Sequence, residues 1–144
     1  MRNRVAVMHG VNFDVLERRP PELYGGISLP RLETKIGGFA RELGLEARFY
    51  QSNHEGEYVE ELHKVTDYAD GLLLNPGAWT HYAWALRDAV ELTGLPAVEI
   101  HLSDVSAREP WRQVSVLADV VIATVSGQGA DGYREALRLL GEAL

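Results

Sequence analysis

The sequence predicts an α/β fold, a doubly wound five-stranded parallel sheet with helices on both faces. Three observations carry this prediction. Short apolar runs alternate with stretches whose apolar residues recur at helical spacing. The alternation repeats five times within 144 residues. Gly71-Leu72-Leu73-Leu74 is apolar without a break, as a strand covered on both faces requires. Such βαβ units wind into a parallel sheet, and five strands at this length fit a flavodoxin-like arrangement with strand order 2-1-3-4-5.

Val5 to Met8 is the first strand. His9 to Ile27 follows without periodicity and holds Arg18-Arg19-Pro20-Pro21. A loop that long is either a functional lid or a plain surface excursion. Ser28 then suits a helix N-cap, Pro30 is tolerated in the first turn, and Leu29, Leu32, Ile36, Phe39, Ala40 and Leu43 share one face before Gly44 ends the helix. Leu45 to Tyr50 is the second strand, and Tyr58, Val59, Leu62, Val65 and Ala69 mark the next helix. After the strand at Gly71 to Leu74, Thr80 to Leu92 reads as a helix closed by Gly94. Pro96 to Ile100 and Val120 to Val125 are the last two strands, and Gly132 to Leu144 is the closing helix. No repeat, linker or low-complexity stretch interrupts the pattern, so residues 1–144 read as a single domain.

Composition narrows the function. Hydrophobic residues make up 46% and charged residues 24%, which excludes a disordered chain. No apolar run approaches the ~18–20 residues of a membrane span, and the N-terminus lacks a secretory pattern, so a soluble cytoplasmic protein is expected. Cysteine is absent, which excludes disulfides, thiolate nucleophiles and Cys-ligated zinc. Fourteen basic against 21 acidic residues give a formal charge of −7, which argues against a general nucleic-acid binder. A local arginine cluster can still reverse the field in a cleft that takes a small anion.

Ligands of such sheets bind beyond the carboxyl ends of the strands. The polar residues following four of the five strands are His9 to Asn12, Gln51 to Glu55, Asn75-Pro76-Gly77 with Thr80-His81, and Glu99 to Ser103 with Arg108 and Arg112 downstream. Glu99 and His101 are two apart, hence on one face of a strand. A carboxylate there fixes the imidazole tautomer and suits a general acid, although a plain ion pair is the competing reading. Tyr24 follows two arginines; a phenol is a poor base at neutral pH, and a neighbouring guanidinium stabilises its phenolate, although a packing role competes. The five histidines show no metal-ligand spacing. The loop after the first strand lacks the Ser/Thr/Gly richness of an FMN phosphate site, position 75 is asparagine rather than a phospho-accepting aspartate, and no Gly-x-Gly-x-x-Gly opens the first helix.

Five stretches together carry a resemblance. They are Tyr24-Gly25; Gln51-Ser52-Asn53-x-Glu55-Gly56-Glu57; Asn75-Pro76-Gly77-Ala78-x-Thr80-His81-Tyr82 with Ala85 to Ala89; Glu99-x-His101-Leu102-Ser103 with Ala107-Arg108-Glu109-Pro110-x-Arg112; and Gly127-x-Gly129-x-x-Gly132-Tyr133. In order and spacing they resemble type II 3-dehydroquinate dehydratases over nearly the whole chain. The resemblance implies a cofactor-free lyase of the shikimate or quinate route, eliminating water in trans from 3-dehydroquinate through an enolate. It implies Tyr24 as the base at C2, with Arg19 on the lid supporting its phenolate. Asn12 would hold the water that stabilises the enolate oxygen. His101 would protonate the departing C1 hydroxyl, oriented by Glu99. Asn75, His81 and Arg112 would hold ring hydroxyls, the Leu102 and Ser103 region would receive the carboxylate, and Asp88 would reach a neighbouring subunit's site. It further implies a homododecamer, a tetramer of trimers. No metal and no other cofactor is expected.

The chain departs from the family pattern at several points. The usual Asn-Gly-Pro-Asn stands here as His9-Gly10-Val11-Asn12, and the lid carries Glu17 and Arg19-Pro20-Pro21 where glycine and Arg-Glu-Pro are usual. Asp104 and Ser106 replace an asparagine and a histidine. Pro20 removes a backbone donor and holds Arg19 toward extended geometry. A divergent relative that acts on, or only binds, another cyclic hydroxy-keto acid is the alternative reading.

Overall fold

The computed structural model describes residues 2–144. Five parallel strands, β1 (Arg4–His9), β2 (Glu46–Gln51), β3 (Gly71–Asn75), β4 (Ala97–His101) and β5 (Ala123–Ser126), form one sheet in the order β2-β1-β3-β4-β5. Five α-helices accompany them: α1 (Pro21–Tyr24), α2 (Leu29–Glu42), α3 (Glu55–Lys64), α4 (Trp84–Thr93) and α5 (Gly132–Glu142). Alternating side chains divide the core. Val5, Val7, Leu73, Val98 and Ile100 point toward α2 and α5, where Leu32, Ile36, Leu137 and Leu140 meet them. Ala6, Met8, Leu72, Leu74 and Ala97 point the other way, onto Tyr58, Leu62, Leu86 and Val90 of α3 and α4. β3 lies in the middle with all five residues buried, which is why Leu72, Leu73 and Leu74 follow one another without a polar break.

Local chemistry agrees with the sequence at several ends. Ser28 caps α2 by accepting the Arg31 N–H, and Gly94 takes the left-handed conformation after α4. Elsewhere the structure corrects the boundaries. The stretch read as irregular from His9 to Ile27 holds a 3-10 helix over Phe13–Arg18 and then α1. The helix expected from Thr80 is a 3-10 turn over Gly77–His81 followed by α4. β5 begins at Ala123, not Val120, because pairing with β4 starts where Ala123 meets Val98. Leu43, assigned to the apolar face of its helix, is exposed beyond the end of α2.

The chain reverses winding direction between β1 and β3, and the connections that leave their carboxyl ends run to opposite faces of the sheet, toward α2 and toward α4, which forms the crevice of a doubly wound sheet. Gly10 holds the two ends together. Its N–H donates to the Asn75 carbonyl at 2.8 Å, and a Cβ at this position would lie 2.2 Å from the Pro76 carbonyl oxygen. Gly10→Ala should therefore cost about 2–3 kcal/mol, read by chemical denaturation, since only backbone could give way. Unchanged stability would show that the two strand ends can separate freely.

Candidate active site

The crevice opens into a small cleft of about 70 Å³. Asn12, Arg19, Tyr24, Asn75, His81, His101, Leu102, Ser103 and Arg112, nine of the residues singled out from sequence, line it. They come from five separate parts of the chain. Asn12 sits in the turn after β1 with φ 70°, the only non-glycine residue at positive φ among the described residues. Asparagine tolerates that conformation, and the turn is pinned from β2: Asn53 accepts the Asn12 N–H at 2.8 Å, and its own amide donates to Asp14 at 2.9 Å. Gln51 and Asn53, read as strand-end polar residues, thus support the turn rather than line the cleft.

Arg19 is extended, with φ −80° and ψ 155°, as the proline after it dictates. α1 then carries Tyr24 back under it. The Arg19 guanidinium lies over the Tyr24 ring, 4.3 Å from its centroid, and donates from Nη2 to the phenol oxygen at 2.6 Å. A second guanidinium arrives from 84 residues away: Arg108 Nη1 donates to the same oxygen at 2.7 Å and contacts Ser103 Oγ at 3.3 Å. Two charge-assisted donors therefore converge where negative charge on Tyr24 would develop. Glu109 lies beside both downstream arginines, accepting from Arg112 Nε at 3.0 Å and sitting 3.7 Å from Arg108 Nε. Sequence reasoning gave Arg108 no role; its only signal was its place in the motif after β4.

His101 ends β4, and Glu99 lies beneath it, fully buried. His101 Nε2 and Glu99 Oε2 are 2.5 Å apart. Thr80 Oγ1 donates to the same carboxylate oxygen at 2.5 Å, and Ser115 Oγ donates to Oε1 at 2.7 Å. Burial pushes the Glu99 carboxyl up, but the bonds from His101, Thr80 and Ser115 outweigh it and hold it below its ordinary value. An ionised carboxylate can only accept, so His101 Nε2 carries a proton and Nδ1 is left for the cleft. In the sequence Thr80 is marked only as a polar residue after the third strand and a helix start within the Asn75 to Tyr82 motif, with nothing to tie it to Glu99, and nothing local marks Ser115.

His81 stacks on His101 with ring centroids 6.4 Å apart. Its Nδ1 donates to the Val114 carbonyl at 2.7 Å. Burial holds the His81 imidazole below its ordinary value, helped by His101 and Arg112 and opposed by the Val114 bond. The neutral ring then offers the lone pair of Nε2 as an acceptor. Asn75 Oδ1 accepts the Gly77 N–H at 3.2 Å.

Two of the expected residues do not line this cleft. Glu99 acts from below through His101, and Asp88 lies on the exposed side of α4. His9, one of the departures, is fully buried behind the cleft. Its ring stacks on Phe13 and Phe49, and Nε2 meets Glu33 at 3.0 Å. Asp104 and Ser106, the other replaced pair, close a local turn in which Asp104 Oδ1 accepts both the Ser106 N–H and hydroxyl.

The family model of class II dehydroquinases matches residues 3–141. The chain belongs to this family. A 3-dehydroquinate dehydratase of Pelotomaculum thermopropionicum is 44% identical over 135 residues, 94% of each chain. One of Carboxydothermus hydrogenoformans is 47% identical over 131 residues, covering 91% of this chain and 85% of that one. The crystal structure of a type II dehydroquinase from Butyrivibrio crossotus superposes with a TM-score of 0.92 at 33% identity, over 96% of this chain and 97% of the other. The family match spans the elements that form the cleft.

Proposed function

We propose that the chain removes water from 3-dehydroquinate to give 3-dehydroshikimate, in the shikimate or quinate route. One observation carries the reading. Tyr24 with its two guanidinium donors and His101 with its buried carboxylate border the same small cleft. Trans elimination needs a base on one face of the ring and an acid on the other. The Tyr24 phenolate takes the C2 proton, which is acidic because C3 is a ketone, and the electron pair moves into an enolate. Asn12 helps hold the water that hydrogen-bonds the enolate oxygen, a charge that needs prearranged donors. The enolate collapses to form the C1–C2 double bond and expels the C1 hydroxyl, which leaves as water with the proton from His101 Nδ1. Glu99 stabilises the imidazolium. His81, Asn75 and Arg112 hold ring hydroxyls, and Ser103, beside Arg108, receives the carboxylate with Leu102. The reaction passes no electrons to an acceptor, so its chemistry calls for no cofactor.

The working form in this reading is a cytoplasmic homododecamer built from trimers, each 1–144 chain being one catalytic domain. Exposed apolar side chains gather beside the cleft and favour assembly. Tyr82 follows His81, Trp111 packs edge-on against the His81 ring, and Val114 supplies its carbonyl partner, all with roughly half or more of their surface free in the single chain. Asp88, exposed on nearby α4, is placed to serve a neighbouring subunit's cleft. No helix among the described residues is long and apolar enough to cross a membrane.

Incubation with 3-dehydroquinate, without added metal or nucleotide, should generate the ultraviolet absorbance of a conjugated enone. Absence of signal above blank from assembled protein would overturn the assignment. Saturable binding without product would instead favour a member that only holds such a ligand.

A further inference from the structure

Three consecutive residues past the Pro110–Gln113 turn bond to the supports of both cleft histidines. Val114 accepts the His81 Nδ1 proton, Ser115 donates to Glu99, and the Val116 N–H donates to the Thr80 carbonyl at 2.8 Å. Arg87 on α4 pins this strap from outside, donating to the Val116 carbonyl at 2.9 Å. The hydroxyl of Ser115 has a fixed direction. It accepts the Leu117 N–H at 3.1 Å, and its single proton goes to Glu99 Oε1, which can only accept. No other hydrogen bond to Oε1 is present among the described residues.

We propose that Ser115 is a positioning residue for the proton donor: its hydroxyl keeps the buried Glu99 an acceptor for His101 Nε2–H, so that the His101 Nδ1 proton faces the cleft. The inference rests on the reaction assigned above. Without the hydroxyl, Oε1 of a fully buried carboxylate loses its donor, and taking up a proton becomes the easier way to satisfy it. A protonated Glu99 leaves no negative charge to balance the His101 imidazolium, and the doubly protonated ring that gives its Nδ1 proton to the leaving hydroxyl is lost. The remaining ionisable groups around the pair are His81, stacked on His101, Arg112 beyond it, and Tyr24 with Arg19 and Arg108 on the cleft wall. The substitution removes none of them.

The test compares kcat and KM against pH for the parent, Ser115→Ala and Ser115→Thr, at equal assembly. In the alanine variant the acid limb of kcat should move up by roughly 1 pH unit, the size of one lost charge-assisted hydrogen bond, with KM changed less than about twofold. Threonine, which keeps the hydroxyl, should restore the parent profile. Ring ¹⁵N shifts of histidine-labelled, unliganded protein should show His101 Nε2 losing its proton in the alanine variant as that limb is crossed, while it keeps it in the parent. That readout needs no turnover, so failure here is separable from failure of the assigned reaction. A parallel loss of kcat at every pH with unmoved ring shifts would make Ser115 a loop cap and overturn the proposal, as would a threonine variant that behaves like alanine.

Discussion

Tyr24→Phe should lower kcat by about 10³-fold or more while substrate still binds within a few-fold of the parent affinity. The ring keeps its packing and its contact with the Arg19 guanidinium, 4.3 Å away, so the lid segment retains an anchor. Only the oxygen that would take the C2 proton is gone. Two guanidinium donors, at 2.6 and 2.7 Å, then face a hydrogen atom where they faced an acceptor. Enone formation under saturating substrate measures the first quantity, and calorimetric titration of the inactive variant measures the second. A phenylalanine variant with near-normal kcat would take the base role away from Tyr24.

His101→Ala should be nearly as damaging, with kcat lower by about 10²–10⁴-fold, because the C1 hydroxyl must then leave without its proton donor. This variant carries a second signature. Glu99 keeps the Thr80 and Ser115 hydroxyls but loses its strongest partner inside a fully buried site. Stability should fall by about 1–3 kcal/mol, read by denaturant titration near neutral pH. Loss of activity at unchanged stability would show that the Glu99–His101 bond contributes little to the fold. Near-normal kcat would remove His101 from the chemistry.

The fold was legible where burial is one-sided or complete. The leucine run of β3 announces a strand enclosed on both faces, and the stripe Leu32, Ile36, Phe39, Ala40 of α2 announces a helix resting on a sheet. It was illegible where tertiary bonds break a continuous local pattern. The apolar spacing from Thr80 to Leu92 runs without interruption, but the Thr80 hydroxyl is drawn to Glu99 and the His81 ring to Val114. The backbone therefore turns before α4 begins at Trp84. Val120 and Val121 are apolar because they pack against the core from a turn, while hydrogen bonding to β4 decides where β5 starts. Periodicity reports which side chains are buried and says nothing of which carbonyl meets which amide.

The cleft follows the same division. Glu99 and His101 sit two residues apart on one strand, a relation that the pleat alone turns into contact, and Tyr24 and Arg19 are close enough in sequence for a short helix to join them. Residue order and spacing thus determined the strand sequence, the family, and the chemical types gathered at the sheet's carboxyl edge. Only the tertiary structure decided that Arg108 completes the Tyr24 site from 84 residues away, and that Ser115 reaches Glu99 across 16. Such pairings leave no local trace, because a hydrogen bond depends on a few ångströms and tens of degrees that many distant segments must agree upon at once.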